Sequence, residues 1–465
     1  MFEKITYISD HGVNIKLKEG QVSNLMNLHL VLTEGTKNVI CEVEYIEELL
    51  LKARFIGEII DGHFYGGLIS KPSVNAQIRM LDPKETLLIT GVENPGNMSF
   101  GISPFYNNQR VYLDTNSLFS NHFTILGNSG SGKSYGTSKV IQSVFTNPNF
   151  RPYKASFLLF DNNGEYISAF QAINQINPNY NFKVYSTNLR SQYDKISIPI
   201  WLLSVDDWAN LLVAENFNQL TLIQSMIKLT KIFSLSSEMN NKYKNHLMAK
   251  AMMSIMYSDK LPTAKRNEIF NIFNTCTTNE LNIDAVVQGA GYTRKFRDCF
   301  HIDANGVFTE SILVTEYITS FINQELDTYE TQEYNRFAVA DVEKALAFAL
   351  VSDNWLNNPE TYSDAIAIKV RLHEFVVGDN SKFFNYPQFV TKEQYLSSLL
   401  INNGKKNQIV NFNLEDIDDQ FAKTITKIYS RMFFEYAKKL ENRGSVPFNI
   451  LVEEAHRYIK SGEDI

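Results

Sequence analysis

The chain has 465 residues, 44% hydrophobic and 12% aromatic, enough for a large buried core and about two to four domains. Its formal net charge of −7 excludes the bulk cationic footprint of a protein that coats nucleic acid, while screening still permits a locally basic channel. No apolar run reaches the roughly 18 residues that span a bilayer, so no membrane role is expected, and Met1-Phe2-Glu3-Lys4 does not begin an export signal. The cysteines Cys41, Cys276 and Cys299 are scattered and the histidines form no H-x-x-x-H pair, which fits no zinc site and points to reducing cytoplasm.

Residues 1–110 predict a small β-barrel or sandwich. Short runs rich in β-branched and aromatic residues recur at Val13–Leu17, Leu28–Leu32, Val39–Tyr45, Arg54–Ile60, Tyr65–Ile69, Ala76–Met80 and Thr86–Thr90. Gly12, Gly20, Gly35, Gly62, Gly66-Gly67 and Pro72 punctuate them. Glu44–Leu51 reads as a helical turn and Gly91–Gln109 as a linker.

From 111 to 204 the pattern becomes α/β. The apolar run Phe123–Leu126 reads as a strand entering Gly127-Asn128-Ser129-Gly130-Ser131-Gly132-Lys133-Ser134, and Tyr135–Phe145 as the helix leaving it. This is G-x-x-x-x-G-K-S, the phosphate-binding P-loop. Glycines allow the backbone N–H groups to converge on an anion, and the helix N-terminus adds its positive dipole end. Lys133 supplies a mobile charge for the β/γ-phosphates and the Ser134 hydroxyl a ligand for Mg²⁺. The expected ligand is therefore Mg²⁺–ATP or a related nucleotide.

Ser156–Phe160 reads as a buried parallel strand, followed by Asp161-Asn162-Asn163-Gly164-Glu165-Tyr166. Asp161 and Glu165 face a nucleotide if this strand neighbours the P-loop strand; equally, Asp-Asn-Asn-Gly is good turn chemistry. Phe182–Tyr185 is a further strand candidate.

Residues 205–390 predict a large helical insertion. Asp206-Asp207 reads as the cap of a helix reaching Ala214, and apolar stripes follow at Leu220–Phe233, Leu247–Tyr257, Lys265–Asn274, Glu310–Glu325, Val339–Val351 and Ala365–Phe375. Core packing explains these stripes, including Met248, Met252, Met253 and Met256. Residues 391–465 return to α/β, with Gln408–Leu414 a strand, Asp419–Leu440 a helix and Pro447–Val452 a buried strand. That last strand ends in Glu453-Glu454, a Walker B pattern: one carboxylate faces the metal shell and the other orients the attacking water. Strand geometry alone sends them to opposite faces, so a bend at the strand end is required.

The P-loop, the Asp161–Tyr166 element and Glu453-Glu454-Ala455-His456-Arg457 together resemble the HerA/FtsK branch of P-loop ATPases, and HerA within it. Ile198-Pro199-Ile200-Trp201-Leu202-Leu203 is similar to the segment that opens the family's helical insertion. The resemblance implies a RecA-like core with a mostly parallel sheet, behind an N-terminal HAS-barrel. It also implies hexameric rings that thread double-stranded DNA and hydrolyse ATP to move it. Implied partners are a NurA-like nuclease, or a sirtuin-like or nuclease effector in antiphage defence, docked through the barrel. By the same resemblance Gly127–Ser134 and Asp161 contact nucleotide, Ser134 and Glu453 hold Mg²⁺, and Glu454 and Glu165 are the catalytic acids. Where the family has Asp, this chain has Glu453, whose extra methylene moves the carboxylate outward. The family's sensor strand and trans-acting Arg would follow Arg457–Ile465, so the core is expected to be cut short after Walker B.

Candidate DNA contacts are Tyr292-Thr293-Arg294-Lys295-Phe296-Arg297, Asn402-Asn403-Gly404-Lys405-Lys406-Asn407, and Lys242, Lys244 and Lys250. A rival expectation is a nucleotide-gated ring scaffold that assembles and activates an effector without moving DNA. A P-loop kinase is disfavoured, because no acceptor-binding Asp or Arg cluster is evident.

Overall fold

A computed structural model describes the chain apart from residues 20–24, 105–107, 331–334, 354, 356–358, 443, 445 and 459–465. Gly20 and the last seven positions, both invoked above, thus lie outside the described residues. The polypeptide divides into one unit of Met1–Ala155 with Ser168–Tyr180 and another of Ser156–Ile167 with Asn181–Ile465.

In the first unit, β1 (Phe2–Ile8), β2 (Gly12–Leu17), β3 (His29–Glu34), β4 (Lys37–Glu47), β5 (Leu50–Ile60), β6 (His63–Gly66) and β7 (Gln77–Met80) form one antiparallel sheet. Its order is β1-β2-β5-β4-β3-β7, with β6 on β5. Alternation places Val13, Ile15, Leu17, Leu30, Leu32, Val39, Cys41 and Val43 on the inner face, where they build the core. The end strands β1 and β7 do not pair with each other among the described residues, so the sheet is curled rather than closed.

Three expectations are corrected here. Thr86–Thr90 is not a strand but the end of helix α1 (Pro83–Thr90). The reason is its start: Asp82 accepts from the Lys84 N–H, Glu85 bonds back to Asp82, and Pro83 pre-sets the first turn. Glu44–Leu51 is strand on both sides of a tight turn in which Glu48 takes φ 53°. The expected linker carries β8 (Asn97–Ser103), the first strand of a hairpin that β9 (Gln109–Asp114) completes.

After α2 (Thr115–Phe119), Phe123–Leu126 forms no strand, and Leu126 is 87% exposed. Its apolar run before the glycine loop marked this segment as a strand, but a strand also requires a hydrogen-bonded neighbour, and it has none among the described residues. Helix α3 (Lys133–Thr146) follows, burying Val140, Ile141, Val144 and Phe145. The Phe145 ring meets Tyr180 edge-on at 5.1 Å, beyond the short helices α4 (Ile167–Phe170) and α5 (Ile173–Ile176).

The second unit opens with β10 (Ser156–Asp161), β11 (Phe182–Ser186) and β12 (Asp194–Lys195). Then come α6 (Val205–Leu211), α7 (Phe217–Ser234), α8 (Glu238–Met256), α9 (Pro262–Thr275), the hairpin β13 (Val286–Gly289) and β14 (Tyr292–Lys295), α10 (Ser311–Thr319), α11 (Val339–Ser352) and α12 (Pro359–Val377). Helix α13 (Lys392–Leu400) and the small hairpin β15 (Ile401–Asn402) and β16 (Lys405–Lys406) lead to β17 (Ile409–Asn413), α14 (Asp419–Lys439) and β18 (Phe448–Val452). The α6 cap is Ser204, with Asp207 completing a capping box, two residues before the acids read as the cap. Met248 and Met252 are fully buried in the helical core, as their spacing predicts.

The sheet of this unit is parallel throughout, in the order β12-β11-β17-β10-β18. Every residue of β10 and β17 is buried, which explains the apolar run Phe157–Phe160 in β10. Phe160 stacks on Phe412 at 5.1 Å, and Phe412 meets Tyr429 of α14 at 4.4 Å. By contrast β18, expected to be buried, is half-buried with Ile450 40% exposed, because among the described residues it pairs only with β10 and forms the sheet edge.

Candidate functional site

Gly127–Ser134 lies in the first unit; Asp161, Glu165, Glu453 and Glu454 lie in the second. In the loop, Gly130 and Gly132 take φ 78° and 90°, in the left-handed region that glycine alone enters without cost. A Cβ on Gly127 would meet the Ser131 Oγ at 2.3 Å, so a larger residue there would push the Ser131 side chain aside. The Ser131 N–H donates to the Asn128 carbonyl at 3.1 Å, and the Lys133 ammonium folds back onto the same carbonyl at 3.2 Å. Helix α3 begins at Lys133 with no side-chain cap and no acidic residue in its first turn. Its leading N–H groups and positive dipole end are thus left for an anion.

The acids of the second unit meet at the C-terminal ends of the parallel strands, where open α/β sheets bind ligands. Asp161 ends β10 opposite Asn413 of β17 and is fully buried. Its Oδ1 accepts the Glu165 N–H at 3.1 Å; its Oδ2 accepts the Tyr166 N–H at 3.1 Å and the Asn411 side-chain amide at 2.9 Å. The Asp161–Tyr166 element is thus a turn, the second of its two sequence readings, and Asp161 organises it. Gly164 allows that turn with φ 70°, and a Cβ there would strike Glu415 Oε2 at 2.5 Å. Glu165 stands exposed at the turn's end.

Glu453 follows β18, its N–H donating to the Phe160 carbonyl at 3.2 Å. Its Oε2 accepts the Asn162 N–H at 3.1 Å, which ties the Walker B acid to the Asp161 turn. The Tyr458 hydroxyl, bonded to Asn162 Oδ1 at 2.8 Å, braces the same residue. Burial, then the charges of Asp161 and Glu165, push the Glu453 carboxyl up to about 7. Glu454 adopts φ 50°, ψ 47°, a left-handed conformation that a non-glycine residue holds at a cost of roughly 1–3 kcal/mol. This is the bend that two adjacent carboxylates at a strand end require. Glu454 Oε2 lies 3.2 Å from His456 Nδ1.

Sequence reasoning missed Asn411, Asn413, Glu415 and Tyr458. The first two had a signal: polar residues at alternate positions of the buried strand Ile409-Val410-Asn411-Phe412-Asn413 share one face. Asn411 Oδ1 is buried beside Asp161 without a hydrogen-bond partner among the described residues, and a buried polar atom left so is costly. Glu415 and Tyr458 carried no such signal.

The candidate DNA-contacting segments are largely neutralised. Arg294 pairs with Glu310 at 2.6 Å, and Arg297 and Lys295 both pair with Asp284. Lys242 pairs with Glu238 and Lys250 with Asp327, while Lys244 is buried against the Leu235 carbonyl. Lys406 is half-buried over the Phe448 ring at 5.9 Å, and burial pulls its ammonium down to about 8.

In the first unit a glycine nest on an uncapped helix has the features of a phosphate-binding P-loop; in the second, the strand ends of a parallel sheet gather carboxylates. Residues 102–281 match the family model described as Helicase HerA, central domain. A segment of 139 residues is 31% identical to the probable DNA double-strand break repair helicase HerA of Methanocaldococcus jannaschii, covering 29% of this chain and 24% of that protein. Over this stretch the chain is similar to the HerA central domain, and the match spans about a quarter of the relative's length.

Proposed function

We propose that the chain is a subunit of an ATP-driven motor that acts on double-stranded DNA. The observation that carries this reading is the uncapped, glycine-lined start of α3, inside the segment that matches the HerA central domain. The residues fit magnesium and a triphosphate: free backbone donors for phosphate, and a Glu453 carboxyl whose charge is disfavoured until a cation arrives. Ser134 and Glu453 would hold Mg²⁺, which neutralises phosphate charge when bound. Lys133 would leave the Asn128 carbonyl for the phosphates. Asp161 acts as a positioning residue that fixes the turn bearing Glu165, and Glu454 orients the attacking water. A hexameric ring, docking of a nuclease or antiphage-defence effector on the N-terminal sheet, and a cytoplasmic location belong to the same proposal and rest on the HerA likeness.

One observation favours the second reading, a nucleotide-gated scaffold: the basic side chains singled out for DNA are mostly engaged by nearby acids. The ATPase rate with and without duplex DNA separates the two. A severalfold stimulation by duplex is expected of the motor. An unchanged rate, with a partner's activity still dependent on ATP, would replace it by the scaffold.

A further inference from the structure

We propose that Tyr135 is the base-contacting residue of the nucleotide site, stacking its ring on the nucleobase while the Gly127–Ser134 loop holds the phosphates. The inference rests on the P-loop reading and extends it from the phosphate chain to the rest of the nucleotide.

Tyr135 is the third residue of α3, one turn or less from the backbone donors of the loop. It is 87% exposed. At about 100° per residue it lies on the face opposite the buried stripe of Val140, Ile141, Val144 and Phe145, so core packing does not account for it. Helical Cα–Cβ bonds tilt toward the N-terminus, so a side chain covers the turn before its own Cα. The Tyr135 ring is thereby directed over the end of the helix where an anion docks. A phosphate chain seated on that end leaves the sugar and base to extend along the helix surface. The first turn offers no acidic side chain to repel it.

An aromatic ring binds a base through its π-face, which every base possesses. The contact adds affinity for a nucleoside triphosphate over bare triphosphate, with little selection between adenine and guanine. The phenol hydroxyl is not needed, so phenylalanine should substitute.

The test is equilibrium binding of ATP, GTP and inorganic tripolyphosphate, each with Mg²⁺, to the full chain. Tyr135→Ala is expected to weaken ATP and GTP by about tenfold while leaving tripolyphosphate unchanged, and Tyr135→Phe to bind all three like the wild type. Lys133→Ala should weaken all three. Unaltered ATP affinity in Tyr135→Ala, or an equal loss of tripolyphosphate, overturns the base contact and leaves the P-loop reading standing. A wild-type chain that binds neither ATP nor tripolyphosphate overturns both.

Discussion

Burial and the carboxylates of Asp161 and Glu165 raise the Glu453 carboxyl from an ordinary 4.5 to about 7, and this has a consequence for stability. A group whose folded pKa exceeds its unfolded one favours the fold fully below the unfolded value and ceases to do so as pH rises through the folded value. Without nucleotide or metal, the melting temperature of the second unit should therefore fall between about pH 4.5 and pH 7. Glu453→Gln should flatten that decline and melt higher than the wild type at pH 8; an identical pH profile would show that Glu453 does not titrate as argued. Mg²⁺ with ATP should restore part of the lost stability in the wild type. At this scale much was readable: an apolar strand ending in Glu453-Glu454, and the acids flanking Gly164, stand out in the primary structure. The left-handed Glu454 was foreseen only as a need for some bend. The Asn162 bridge was not foreseeable, because it joins residues 291 positions apart.

Elements were legible where the pattern is local and strong. Helices α7, α11 and α14 fall within a few residues of their apolar stripes, whereas α8 starts nine residues early because Asn240, Tyr243, Asn245 and His246 are buried polar and aromatic groups that break the stripe. His246 accepts the Asn323 N–H on Nδ1 at 3.1 Å and meets Asp327 through Nε2 at 2.9 Å, a satisfaction that appears only in three dimensions. Strands failed where pairing rather than composition decides, as at Phe123–Leu126. One tie between elements is testable. Asp207 completes the α6 cap and is almost wholly buried, and Arg431 of α14 grips both its carboxylate oxygens while reaching Glu435 at 3.0 Å. Arg431→Ala strands a buried charge and should cost about 3 kcal/mol in urea unfolding, with Arg431→Lys recovering part of it. A loss below about 1 kcal/mol would mean that solvent replaces the guanidinium without penalty.

At the scale of the molecule, one unit is a curled antiparallel sheet followed by a hairpin and the phosphate loop; the other is a parallel sheet bearing the acids, with a large helical insertion between its strands. Composition announced the antiparallel strands and the helical insertion, since short punctuated strands and long 3.6-residue stripes obey different periods. It did not announce that the basic segments are spent on intramolecular pairs, because Glu310 and Asp284 lie outside the runs themselves. The central proposal is that the chain hydrolyses ATP and that Glu454 serves that step. Parallel assays of ATP binding and steady-state turnover on wild type and Glu454→Gln test it most directly. The account predicts ATP affinity close to wild type in the variant and turnover lower by about 100-fold or more. Turnover at the wild-type rate in Glu454→Gln would contradict it.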